Sequence, residues 1–238
     1  MSIIQSIIAS ISTASQGGGG GGGGGPTYGS WTIEWWEKKL SPQVVGNARV
    51  FSVGVDTSAS IGYSNESGGD YVWTGASGSN PAAGPLTVGS IANNWHHFSV
   101  NSDGTNLYVY MDGVEKFNGA RINNPITDAI TPFYLGGDTN SHWKGRICDF
   151  HIMKGGVKYT QAGYYPSGRL TADASTVLLL PMMDNTYTTS VGPAVNTLGS
   201  VTYSTDDPWN DGGGSVQFSG QTTSYLEWNG SSIFALDV

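Results

Sequence analysis

Along most of the chain the apolar positions recur every second residue. Trp31, Ile33 and Trp35 alternate with Thr32 and Glu34, and Phe51, Val53 and Val55 alternate with Val50, Ser52 and Gly54. That period puts successive side chains on opposite faces of an extended strand, so one face is built for a core. Residues 96–100 and 107–111 form two more such runs, joined across Ser102-Asp103-Gly104-Thr105, a hairpin signal. Met111 then meets Asp112-Gly113 and Val114, a two-residue turn that needs positive φ at both central positions. Further strands are predicted at 132–136, 145–153, 177–180, 200–204, 215–219, 224–228 and 233–236. Gly, Asn and Asp punctuate them, and no window past residue 16 carries an amphipathic helical stripe. Short strands with turns of this kind predict two packed antiparallel sheets, an all-β sandwich.

The N-terminus follows another period. Ile3, Ile4, Ile7, Ile8 and Ile11 recur at helical spacing, and Ile4, Ile7 and Ile11 fit an a-d-a seam. A helix this short is marginal alone in water. Residues 1–16 are therefore read as a helical or extended anchor that docks on a partner or self-associates, a disordered tail being the plain alternative. Isoleucine at both seam positions favours a trimer. Residues 17–25 are nine glycines, spanning roughly 17 Å as a flexible coil and ~30 Å fully extended. They act either as a spacer or as a segment packed by its neighbours. The division is thus anchor 1–16, linker 17–28 and sandwich 29–238.

Composition narrows the partners. Charged residues make up 12% of the chain, about half of globular usage, so the surface must be clothed by Ser, Thr, Asn, Gly and Gln. That leans toward an extracellular or virion-borne setting. A net charge of −8 with no run of Lys or Arg argues against nucleic acid. One cysteine, Cys148, excludes an intramolecular disulfide, and its apolar surroundings mark it as a core residue. No segment reaches the ~18 consecutive apolar residues of a membrane span. The apolar N-terminus lacks the preceding Lys or Arg of a signal peptide.

Three motifs stand in order. The first is Trp31-Thr32-Ile33-Glu34-Trp35-Trp36-Glu37-Lys38-Lys39. The second runs Asn94-Trp95-His96-His97-Phe98-Ser99-Val100, Asp103-Gly104, then Leu107-Tyr108-Val109-Tyr110-Met111-Asp112-Gly113. The third is Leu135-Gly136-Gly137-Asp138 with Trp143-Lys144-Gly145-Arg146-Ile147-Cys148-Asp149-Phe150-His151-Ile152. Together they resemble the strands of laminin-G-like, concanavalin-A-like lectin-glucanase jelly rolls. Leu178-Leu179-Leu180-Pro181-Met182-Met183-Asp184, Gly213-Gly214-Ser215-Val216-Gln217-Phe218 with Tyr225-Leu226-Glu227-Trp228, and Ser232-Ile233-Phe234-Ala235-Leu236-Asp237 resemble the opening half of phage-type copies. The resemblance implies one jelly roll in circularly permuted order, with 177–238 supplying strands that normally precede residue 30. Completion of a neighbouring subunit's sandwich is the alternative.

The jelly-roll glucanases carry an E-x-D-x-x-E triplet on one strand face, and none occurs here. Glu34 and Glu37, three apart, fall on opposite faces, and so do the adjacent His96 and His97, which cannot easily chelate one metal. The expectation is no enzyme and no cofactor. A structural calcium, bound by some relatives, would draw on Asp138 and Asn140, with Asp112 and Asp70 as further loop carboxylates. Glycan would use aromatics beside amides, and Tyr63, Asn65, Tyr71 and Trp73 are the candidates, packing of Tyr71 and Trp73 into the core being the alternative. The resemblance implies a non-enzymatic virion protein, a tail fibre, appendage or capsid decoration. Its anchor would bind other virion proteins, and its lectin-like domain would face host glycan from the particle surface. A secreted carbohydrate-binding module or glucanase-related enzyme is the alternative, which would place the protein outside the cell.

Overall fold

The computed structural model describes residues 29–40, 47–53, 61–66, 69–74, 83–86, 92–121, 132–137, 142–183, 187–229 and 234–236. In chain order its strands are β1 (Ser30–Lys39), β2 (Asn47–Val53), β3 (Ile61–Glu66), β4 (Gly69–Thr74), β5 (Ala83–Leu86), β6 (Trp95–Asp103), β7 (Asn106–Met111) and β8 (Val114–Ala120). They continue as β9 (Phe133–Leu135), β10 (Lys144–Lys154), β11 (Thr176–Leu180), β12 (Thr197–Leu198), β13 (Thr202–Ser204), β14 (Ser215–Ser219) and β15 (Leu226–Trp228). They form two antiparallel sheets packed as a sandwich, as the alternating pattern predicts, in the jelly-roll form that the resemblance implies. One sheet has the order β13-β14-β10-β1-β6-β7-β8, the other β12-β15-β9-β2-β3-β4-β5. Among the described residues no helix is long and apolar enough to cross a membrane. The anchor residues Ile4, Ile7, Ile8 and Ile11 and the glycine run lie outside the described residues.

β1 sits at the centre of its sheet between β6 and β10. Trp31, Ile33 and Trp35 point into the sandwich and are fully buried. The Trp35 ring stacks on Phe98 at 5.6 Å and meets Phe51 edge-on at 5.2 Å from the facing sheet. Phe133 bridges further, stacked on Phe234 at 4.7 Å and edge-on to Trp228 at 5.3 Å. Each such pair adds about 0.5–1.5 kcal/mol beyond the area it buries. The second edge of β10 is shared by β14, opposite residues 144–147, and β11, opposite 150–153. β15 closes the other sheet on β9.

The hairpin between β7 and β8 turns at Asp112 and Gly113, with φ of 50° and 73°, as the Asp-Gly pair requires. The structure departs from the sequence reading at two places. β3, β4 and β5 are strands in a Gly- and Ser-rich stretch where alternation is weak. Residues 234–236 are not a strand, and the Phe234 ring is stacked in the core.

Candidate functional site

The outer face of the β1 sheet is not open to solvent. Thr32, Glu34 and Trp36 alternate with the core residues of β1, yet all three are buried. The cover is the segment 155–170, which leaves β10 at Gly155 and runs back across the sheet. Here it is called the strap. Lys158 N donates to Thr32 Oγ1 at 2.9 Å, and Gly163 N donates to Gly113 O at 2.8 Å.

Glu34 is the anchor of this cover. Its Oε1 accepts from His151 Nδ1 at 2.8 Å and Lys158 Nζ at 2.6 Å. Its Oε2 accepts from Tyr159 Oη at 2.6 Å and His97 Nε2 at 3.2 Å. Two donors per oxygen satisfy an ionised carboxylate, which can only accept. Burial raises the Glu34 pKa, but the bonds from His151 and His97 and the charge of Lys158 more than offset it, holding the group well below the usual carboxylate range. Burial likewise pushes His97 below its usual 6.5, and its contact with Glu34 restores only part of that. His97 is therefore neutral, with Nε2–H donating to Glu34 and Nδ1 left as an acceptor. Beneath the strap, Nδ1 of His97 and Nε1 of Trp36 are buried without a hydrogen-bond partner.

A second anchor comes from a bulge. In β10, Asp149 and Phe150 together oppose Trp35, and Asp149 takes φ of 49°. Phe150 thereby stays in the core while the Asp149 carboxylate accepts from Leu170 N at 2.7 Å and Arg169 Nη1 at 3.1 Å. Burial lifts the Asp149 pKa to about 6, with Leu170 N–H and Arg169 opposing the rise. Arg169 also binds Asp211 through Nε at 3.0 Å and Nη2 at 2.9 Å, a two-pronged contact to the 205–213 loop. Neighbouring Cys148 is fully buried, its Sγ 3.1 Å from Gly214 O, and burial pushes its thiol pKa far up. An aromatic disulfide reagent at pH 8 is expected to leave the native protein unlabelled and to titrate one thiol after denaturation; fast native labelling would contradict this packing.

Tyr164 and Tyr165 stand out on the strap, 59% and 49% exposed. The Tyr164 ring lies against Tyr159 at 5.3 Å and 28°, and Tyr165 meets Trp36 edge-on at 6.3 Å. Lys158, Tyr159, Arg169 and the two tyrosines escaped the sequence reading because the strap has no strand or helical period. The one signal there was Tyr164-Tyr165 before a proline in a glycine-rich stretch.

The positions singled out from sequence are scattered. Tyr63 pairs with Phe51 and Val72, and Asn65 with Ala48 and Asp70. Tyr71 pairs with Ser64, and Trp73 with Gly62, so neither stands opposite Tyr63 or Asn65 in the register. Register thus divides the four into two pairs. Asp70 lies in β4 and not in a loop. The Asp112 oxygens are taken by His96 Nδ1 at 2.6 Å and His97 N at 2.8 Å. Asp138 and Asn140 lie outside the described residues. Among the described residues no three His, Cys, Asp or Glu side chains converge on a metal position. Glu34 faces the strap, whereas Glu37, on the other face of β1, accepts from Trp35 Nε1 at 2.7 Å.

A sandwich of this order with this central strand defines a class: the chain belongs to the concanavalin A-like lectin/glucanases superfamily, whose profile matches residues 25–158. Among solved structures it is similar to domain 4 of AbnA, a GH43 extracellular arabinanase from Geobacillus stearothermophilus, in complex with arabinotriose. That match has 22% identity over 56% of this chain and 64% of that one, with a TM-score of 0.43. A putative carbohydrate binding protein from Bacteroides ovatus matches at 14% identity over 81% of this chain and 52% of that one, with a TM-score of 0.44. The native heptameric SAP-like pentraxin of Limulus polyphemus matches at 14% identity over 57% and 68%, with a TM-score of 0.39. The chain spans 64% and 52% of the length of the first two. No curated protein sequence matches it.

Proposed function

We propose that this protein is a non-enzymatic glycan-recognition module borne on a virion surface. The observation that carries the non-enzymatic part is the state of Glu34: a fully buried carboxylate with four donors on its two oxygens has no lone pair free to attack a sugar or move a proton. Glu37 lies on the opposite face of β1 and accepts from Trp35 Nε1, so the two carboxylates do not share a face as a glycosidase pair does. Glycan recognition is supported by membership of the concanavalin A-like lectin/glucanases superfamily. The virion setting is supported by the sparse charge, the phage-type opening motifs, the glycine run and the isoleucine-rich first sixteen residues.

The test is a glycan array with the full chain, paired with a reducing-end assay on every glycan that binds. Retention without cleavage is the expected result; release of reducing ends would overturn the non-enzymatic reading, and a flat array would overturn recognition. Deleting residues 1–16 is expected to abolish incorporation into particles, and normal incorporation would remove the anchor from the reading.

A further inference from the structure

The strap does more than its structural work requires. Tyr159 has a clear duty, with its hydroxyl on Glu34 and its ring 5.9 Å from that of His97. Tyr164 has none of comparable kind. One face of its ring rests on Tyr159 and the residue is 59% exposed, so the other face is turned to water. An aromatic face held flat by a second aromatic beneath it is a rigid platform, costing little entropy to present.

Behind it lies a depression of about 440 Å³ lined by residues 158–164, within the ~300–1,000 Å³ of small-ligand sites. Thr160 and Gln161 are exposed on its wall and supply a hydroxyl and an amide. Lys158 stands at the rim, 26% exposed at its side chain, with its charge matched by Glu34 at 2.6 Å. The lining therefore carries hydrogen-bonding groups and no net charge. Gly163 N bonds Gly113 O, which fixes this corner of the strap to the β7–β8 turn.

Resting on the reading that the protein recognises glycan, the geometry points to the strap as the place: an uncharged hexopyranose stacks its apolar face on Tyr164 and directs hydroxyls to Gln161, Thr160 and the Lys158 ammonium. The recognition surface is then on the outside of the β1 sheet, away from the strands β3 and β4.

Calorimetric titration of the full chain with the array's best neutral oligosaccharide tests this. Tyr164→Ala is expected to weaken binding about tenfold and Tyr164→Phe to retain it, because the ring face and not the hydroxyl is used. Both variants should keep the parent Tm, since the side chain is largely exposed. A double change of Tyr71 and Trp73 to alanine, on the other sheet, should leave affinity unchanged. Three results would overturn the inference while sparing glycan recognition: parental affinity in Tyr164→Ala, loss of binding only in the Tyr71/Trp73 variant, or binding confined to carboxylated or sulfated glycans. Absence of binding to any glycan by the parent chain would overturn both.

Discussion

Glu34→Ala is expected to lower the stability of the sandwich by about 3–5 kcal/mol, the usual cost of removing one partner from a buried charge pair. The reason lies in what the substitution leaves behind. The Lys158 ammonium, the Tyr159 hydroxyl and the N–H groups of two buried histidines all lose their acceptor at once. Lys158 can swing toward water, being partly exposed, but His97 and His151 cannot, and their unmet donors carry the penalty. In a chain of this size the loss corresponds to a fall in Tm on the order of 10 °C, measurable by calorimetry. The strap should loosen first, so limited proteolysis is expected to cut between residues 155 and 170 in the variant and not in the parent. A Tm within about 2 °C of the parent would show that the carboxylate is not the anchor.

Acid acts on the same cluster. The Glu34 pKa is depressed from its usual 4.5, so its contribution is complete above 4.5 and is lost as pH falls toward the folded value. The His97 pKa is depressed from 6.5, so the unfolded chain binds the proton more readily and stability falls as pH drops below 6.5. Asp149 has the opposite sign: with a folded pKa of about 6 it favours the folded state as pH falls through 6. Between pH 6.5 and 4.5 His97 and Asp149 therefore oppose one another, and the decline set by Glu34 is expected only below 4.5. Glu34→Gln is expected to flatten the profile below 4.5, and a parent profile already flat there would contradict the ionised, hydrogen-bonded carboxylate.

Gly136→Ala carries the second large effect. Gly136 has φ of 87°, and an added Cβ would stand 2.0 Å from Cδ1 of Phe218. Neither side can yield cheaply. Phe218 is fully buried beside Trp143, and the Gly136 backbone is held by Gly136 N to Val50 O at 2.7 Å and Trp143 N to Gly136 O at 3.1 Å. The left-handed backbone costs roughly 1–2 kcal/mol for any L-residue, and forcing the ring aside adds roughly 1–3 kcal/mol. Gly155→Ala provides the comparison, because its φ is 82° but no atom lies within 4 Å of the added carbon. Urea unfolding should therefore show Gly136→Ala the more damaging by the steric part alone. Equal losses in the two variants would mean that the Phe218 contact gives way without cost.

Much of the sandwich is legible in the chain because its central strands are buried on the core face and still alternate. Trp31, Ile33 and Trp35 on β1 and the Asp112-Gly113 turn announce themselves by period and by φ. The residue motifs of β1, β6, β7 and β10, apart from any period, carry the family resemblance. The outer face misleads. Thr32 and Glu34 look like solvent-facing residues, and only a segment 120 or so residues further on shows that they are covered. That segment, from Gly155 to Leu170, carries no period for alternation to reveal. The four glycan candidates are all odd-numbered, but β3 and β4 pair odd positions with even ones (Tyr63 with Val72, Asn65 with Asp70), a register set by the turn between the strands and not by their alternation.

The placement of β10 also sets the order in which the chain can become a protein. Its first edge is taken by β1, from the start of the sandwich, and its second by β11 and β14, from near its end. As a nascent chain emerges, β1 can pair with β6 early but must wait about a hundred residues for β10. The Phe133 ring then waits longer still for Trp228 and Phe234. Pairings of such separation lose loop entropy before they gain contact, which puts folding in the slow regime of non-local β proteins. Until the last strands arrive, half-built sheets with open edges face the solvent. Synthesis rate and chaperone capture therefore bear on the yield of this protein as well as its final stability.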